Sequence, residues 1–201
     1  MGVPQDGLRL IGKIAKCLAK QGDGERWHKK LSACIQEGLP VPVSAPPPLS
    51  HSVLCLLTPA LVIPVTDGTK TLAQATDVFP GGIYGESCGG SSQAQPKTLV
   101  NVHELIENAT FQQMFEGQGV DLDKICLEQD QIVEFVISHP DQLHPQGYAT
   151  FFLFRANGDF FVAHVYWCDA RRLLVRVRHL AYAYVWFAGY CYRVVLPQLA
   201  L

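Results

Sequence analysis

The 201-residue sequence predicts an α+β fold: short helices packed on a C-terminal antiparallel sheet of three or four strands, with an N-terminal helical hairpin. Three observations carry this expectation. Apolar residues recur at spacings of three and four between residues 6 and 37, and again between 121 and 138, which is the period of a helix with one buried face. After residue 147 the period shortens to two, the spacing of a half-buried strand. Asn157-Gly158 stands between two β-rich runs, the pattern of a two-residue hairpin.

Composition sets the outer bounds. The chain is 48% hydrophobic and 17% charged, with a formal net charge of −2. Disorder goes with low hydrophobicity and high net charge, so it is excluded. Neither a heptad nor a glycine period is present, which excludes a coiled coil or collagen as the main body. The charged fraction lies below the usual ~25% of globular domains, which suggests an apolar patch for a partner. Charge is unevenly spread: residues 1–40 carry seven Lys/Arg against four Asp/Glu, residues 41–150 three against twelve, and residues 151–201 six against two. The basic ends can attract phosphate or an acidic partner, or pair with the chain's own acidic middle.

Seven cysteines stand at 17, 34, 55, 88, 126, 168 and 191, no two closer than 17 positions. That spacing excludes CxxC redox motifs and the close Cys pairs of common zinc sites. With an odd count, and no apolar leader at the N-terminus, a cytoplasmic protein with free thiols is expected. The most apolar run, Val53–Val65, spans 13 residues and contains Pro59 and Pro64. A spanning helix needs about 20 residues, so no membrane association is expected, and the prolines favour extended structure.

Three segments follow from punctuation: a helical hairpin over 1–38, a Pro-rich linker and apolar segment over 39–60, and an α+β domain over 61–201. In the hairpin, Leu8, Ile11, Ile14, Ala15 and Leu18 make one stripe, and Trp27, Leu31, Cys34 and Ile35 a second, separated by Gly22-Asp23-Gly24. Five prolines between 40 and 48 favour extended polyproline II. Residues 61–66 suggest a short strand, and Thr71 a cap for one helical turn. The glycine-rich stretch 80–96 reads as a loop. Residues 99–115 suggest two short helices, the first with Val102, Leu105 and Ile106 on one face, the second opened by a Thr110-x-x-Gln113 capping box. Asp121 caps a longer helix ended by His139-Pro140. Strands follow over 148–155, 159–167, 173–178 and 190–196, with 182–188 a turn of helix or a bulged strand.

The stretches TLAQATDVF (71–79), LDKICLEQDQIVEF (122–135), GYATFFLFRANGDFFVAHV (147–165) and RVVLPQL (193–199) resemble a set of small uncharacterised bacterial proteins. The resemblance covers about residues 71–199 and fades over residues 1–50. It implies one architectural unit from about 61 to 201 and brings no catalytic residues.

Three constellations are candidates for chemistry. Gly85-Glu86-Ser87-Cys88-Gly89 matches G-x-S-x-G, with Ser87 or Cys88 as nucleophile, His164 or His179 as base and Asp169 as orienter; a nucleophile elbow needs a strand before and a helix after it. Without that context the motif reads as a flexible loop. His139, Asp141 and His144 share one loop and are a possible metal set, although the prolines at 140 and 145 account for the same residues as a helix end. Arg176, Arg178 and Arg193 interleave with Tyr182, Tyr184 and Trp186. Basic strands with exposed aromatics track phosphates and stack bases, and tyrosine and arginine anchor protein contacts. The sequence therefore favours a non-catalytic protein-binding module working through this set. Nucleic-acid binding is the alternative, and a hydrolase using residues 85–90 a further one. No cofactor is implied.

Overall fold

The structure, a computed structural model, describes residues 52–85, 90–168 and 172–199. The expected N-terminal helical hairpin lies outside the described residues. The chain divides into two units, residues 1–47 and 48–201, and the described residues all lie in the second.

Its strands are β1 (Leu54–Ile63), β2 (Gly82–Gly85), β3 (Thr98–Leu105), β4 (Thr150–Ala156), β5 (Asp159–Trp167), β6 (Leu173–His179) and β7 (Arg193–Pro197). Its helices are α1 (Phe111–Phe115), α2 (Leu122–Ile125) and α3 (Gln129–Ser138). All seven strands form one sheet in the order β1-β3-β7-β4-β5-β6-β2. The pairs β4/β7 and β2/β6 are parallel and the others antiparallel. This overturns the expected antiparallel sheet of three or four C-terminal strands: the sheet is mixed, and it recruits three strands from the first half of the described chain.

The physical reasons are local. Residues 98–105 form a strand, not a helix, because Val100 and Val102 alternate with Asn101 and His103 and both valines are fully buried. The Val102–Leu105–Ile106 spacing that suggests a helix only marks where β3 stops. The run expected as one helix over 121–138 is broken, since Cys126 is extended and Leu127 bridges Phe154, its amide donating to the Leu153 carbonyl at 2.9 Å. The hairpin is as the dipeptide indicates: Asn157 and Gly158 both have positive φ, 53° and 89°, which two-residue hairpins of this hand require. At the outer edge, β1 slips register twice and carries Pro59 and a positive-φ Ala60 (54°), irregularities that discourage pairing with another chain.

Both faces of the sheet are covered. Val100, Val102, Val195, Phe152, Phe154, Ala163, Val165, Val175 and Val177 pack one face against Ile132, Val133, Phe135 and Val136 of α3. Leu105, Val194, Phe151, Leu153 and Val162 pack the other against Phe111, Met114 and Phe115 around α1 and against Ile125 of α2. Two-sided burial explains the near-continuous apolar run FFLF in β4.

Four consecutive polar residues at the start of α3 pin the loops around it. Glu128 Oε2 accepts from Gln93 N (3.1 Å), Gln129 Oε1 from Leu72 N (3.0 Å) and Asp130 Oδ2 from Gly68 N (2.8 Å), while Gln131 Nε2 donates to Thr98 Oγ1 (2.8 Å). Gln129, Asp130 and Gln131 are buried, and these bonds offset the cost of burying them.

The parallel pairing of β7 with β4 has one consequence for the surface. The chain must leave β6, pass over β5 and β4, and enter beside β3. At about 4.8 Å per strand, the crossing covers roughly 14 Å. Residues 180–192 make it, and they carry most of the C-terminal aromatics.

Candidate functional site

On the α1 face the register aligns His103 of β3, Val194 of β7, Phe151 of β4, His164 of β5 and Arg176 of β6 in one row across the sheet. The crossing segment is fastened onto this row by its backbone. Trp186 N donates to the Ala109 carbonyl (2.8 Å), Ala109 N donates to the Trp186 carbonyl (3.1 Å), and Ala188 N donates to Asn108 Oδ1 (2.9 Å). The Trp186 ring points inward and meets Phe151, His164, Tyr192 and Phe111 at centroid distances of 4.8, 5.1, 5.1 and 5.2 Å.

Outward-facing residues of the same segment remain in solvent. Tyr182, Tyr184, Val185, Phe187 and Tyr190 are each between 42% and 51% exposed. At roughly 200 Å² per aromatic side chain, these five side chains expose about 400–500 Å² in total. The rings are ordered by one another: Tyr182 lies nearly parallel to Tyr184 (6.1 Å, 16°), Tyr184 meets Trp186 edge to face (4.8 Å), and Tyr190 stacks on Tyr148 (4.8 Å). Arg178 sits over the Tyr182 ring at 5.3 Å, a cation–π contact, and Arg176 is exposed beside it. Burial, together with the neighbouring phenols of Tyr184, Tyr190 and Tyr148, pushes the Tyr192 hydroxyl up to about 12.

The structure therefore brings Arg176, Arg178, Tyr182, Tyr184 and Trp186 onto one side of the sheet, with the Trp186 ring turned inward. Arg193 does not belong with them. It lies on the α3 face, where Nη1 donates to the carbonyls of Gln142 (2.8 Å) and Leu143 (3.0 Å). Phe187 and Val185 are exposed residues of this segment that the sequence does not single out. Alternation within Tyr-Val-Trp-Phe could not identify them, because the segment is a crossing connection without a strand's period.

His164 is enclosed on the α1 face of the sheet. It is 4% exposed, walled by Phe111, Phe151 and Trp186. Burial, with smaller contributions from Arg178 and Arg176, pushes its imidazole down to about 3. Ser87, Cys88 and Asp169 lie outside the described residues. A strand, β2, does precede the glycine-rich motif, while the residues after it, from 90 to 97, contain no helix. A shallow cleft of about 370 Å³ opens there, lined by Ser91, Gln93, Glu128, Arg155 and Asn157. Its one cation, Arg155, is already paired with Asp123 at 3.0 Å.

The possible metal set is dispersed. His139 Nε2 donates to the Val62 carbonyl (2.8 Å), Asp141 accepts from Gln142 Nε2 (2.7 Å), and His144 Nδ1 accepts from Gln146 N (3.2 Å). Burial, and then Arg193, lowers the His144 pKa. Among the described residues, no three His, Cys, Asp or Glu side chains converge in a way that could hold a metal ion. Nor is any helix among them long and apolar enough to cross a membrane. Burial pushes the Cys126 thiol up to about 12, away from the thiolate form that reacts.

No family model, no curated protein and no solved structure matches the chain.

Proposed function

We propose that the chain is a non-catalytic protein-binding module whose contact surface is the β6–β7 crossing. The observation that carries this reading is the cluster of half-exposed Tyr182, Tyr184, Phe187 and Tyr190 on a segment anchored by Trp186 and its backbone bonds to Ala109. Tyrosine and phenylalanine presented on a fixed backbone lose little conformational entropy on binding, and these are the residue types enriched at contact cores. The nucleic-acid alternative is weaker on the same ground. Arg193 faces away, which leaves Arg176 and Arg178 as the cations of the set on this surface, whereas phosphate tracking relies on several.

The test is affinity isolation from cells that naturally make the protein, with wild type compared against Tyr184→Ser/Phe187→Ser. Specific co-purifying proteins are expected with wild type and lost with the double variant, while both chains unfold at the same temperature. An identical set of co-purifying proteins, or none with either chain, overturns the proposal.

A further inference from the structure

Resting on that reading, we propose that the partner engages this surface through an acidic peptide segment, with carboxylates on Arg176 and Arg178 and apolar side chains on Tyr182, Tyr184 and Phe187.

Charge is the first argument. The sequence contains no Asp or Glu after Asp169, so the whole crossing and the two strands it joins lack a carboxylate. Among the described residues the ion pair is Arg155–Asp123, and neither Arg176 nor Arg178 has a carboxylate partner. Their field is felt in the sheet: after burial, the groups that depress the His164 imidazole are Arg178 and Arg176, and no carboxylate opposes them. A positive rim with no carboxylate partner among the described residues, set beside exposed aromatics, selects a partner that supplies negative charge at that edge.

Extent is the second argument. The exposed Tyr182, Tyr184 and Phe187 lie within six consecutive residues, a stretch that a short extended segment can follow. A second copy of this chain offers no Asp or Glu on its own crossing or on the two strands that the crossing joins. An extended segment a few residues long covers the patch and reaches the rim. The Tyr182 ring, already under Arg178 at 5.3 Å, sets an apolar contact and a charged contact side by side.

The experiment pans a random-sequence peptide display library against the full chain at physiological salt, with a random single-stranded RNA pool selected in parallel. The expected peptide pool is enriched in Asp and Glu together with aromatic or aliphatic residues. Selected peptides should bind Arg176→Gln/Arg178→Gln about fivefold more weakly, the size of two exposed ion pairs, and should lose binding to Tyr182→Ser/Tyr184→Ser. Circular dichroism melts verify that both variants are folded. A pool enriched without acidic residues, yet lost on the tyrosine variant, overturns the acidic partner and leaves the protein-binding reading standing. Failure to enrich any peptide dependent on the tyrosines overturns the peptide partner, while the protein-binding reading is decided by the affinity isolation. Enrichment of RNA through the same residues replaces both with a nucleic-acid interface.

Discussion

Trp186 meets His164 edge to face, ring centroids 5.1 Å apart at 81°, and the contact ties the outermost segment of the chain to the middle of the sheet. His164 Nε2 and Trp186 Nε1 are both buried without a hydrogen-bond partner among the described residues. The histidine thus packs as an aromatic ring in its neutral form, and its proton chemistry appears in the stability of the fold.

That chemistry fixes the sign of an acid limb. The unfolded chain protonates His164 near pH 6.5, the folded chain only near pH 3. Between these values the unfolded state holds the extra proton. The stability contributed by His164 is therefore complete above pH 6.5 and is lost as pH falls toward 3, by about 1.4 kcal/mol per pH unit. His164→Phe keeps the aromatic box and removes the titration. Urea midpoints at pH 6.5 and 5 should separate for wild type and nearly coincide for the variant. Equal separation in both would assign the acid limb to other groups.

Asp130 has the opposite sign. Burial raises its pKa, against the hydrogen bond from Gly68 N, and Asp67 adds repulsion. A carboxyl with a raised folded pKa favours the protonated fold, so its contribution is present below the unfolded value and is lost as pH rises through the folded one. Asp130→Asn keeps an acceptor for Gly68 and removes the charge. At pH 7 it should be at least as stable as wild type, and its advantage should shrink at low pH. Asp130→Ala removes the acceptor and should cost about 1 kcal/mol at pH 7. An Asn variant markedly less stable than wild type at pH 7 would contradict this assignment.

Gly68 is fixed by the same contact. Its φ is +74°, and a Cβ there would sit 2.4 Å from Ala94 N and 2.5 Å from the Gln93 carbonyl carbon. Those atoms are backbone and cannot swing aside. Gly68→Ala combines left-handed strain with a clash and should destabilise by about 2–4 kcal/mol in chemical denaturation. A loss below half a kcal/mol would mean that the 66–72 loop is not held against 93–95 in solution.

These effects bear on what can be read from sequence. The Asn157-Gly158 hairpin, the Thr110 capping box and the stop at His139-Pro140 are local, with partners within four residues, and the sequence marks all three. The mixed sheet is nonlocal. Nothing in RVVLP says that β7 lies parallel to β4 and next to β3, because strand order is decided by which faces can be buried together. β3 is missed because Val102, Leu105 and Ile106 fit a helical spacing by coincidence. The candidate surface is half legible: its Arg and Tyr residues stand out by type, but whether a ring points in (Trp186) or out (Phe187) depends on the crossing. So does the face on which an arginine emerges.

Arg193 and Arg176 make that last point measurable. Both belong to the same basic, aromatic stretch of sequence. Arg193 Nη1 caps the carbonyls of Gln142 and Leu143 from β7, so Arg193→Gln leaves those acceptors short of a charged donor and should cost about 1–2 kcal/mol of stability. Peptide binding at the crossing should not change, since the guanidinium is on the opposite face. Arg176 is exposed and bonds no carboxylate, so Arg176→Gln should leave the denaturation midpoint within about 0.5 kcal/mol of wild type and weaken binding of acidic peptides. The two variants, measured by the same denaturation and peptide-binding assays, should show a crossed pattern. If Arg193→Gln weakens binding while leaving stability intact, then the arginine belongs to the contact surface after all and the two-faced division of the sheet is wrong.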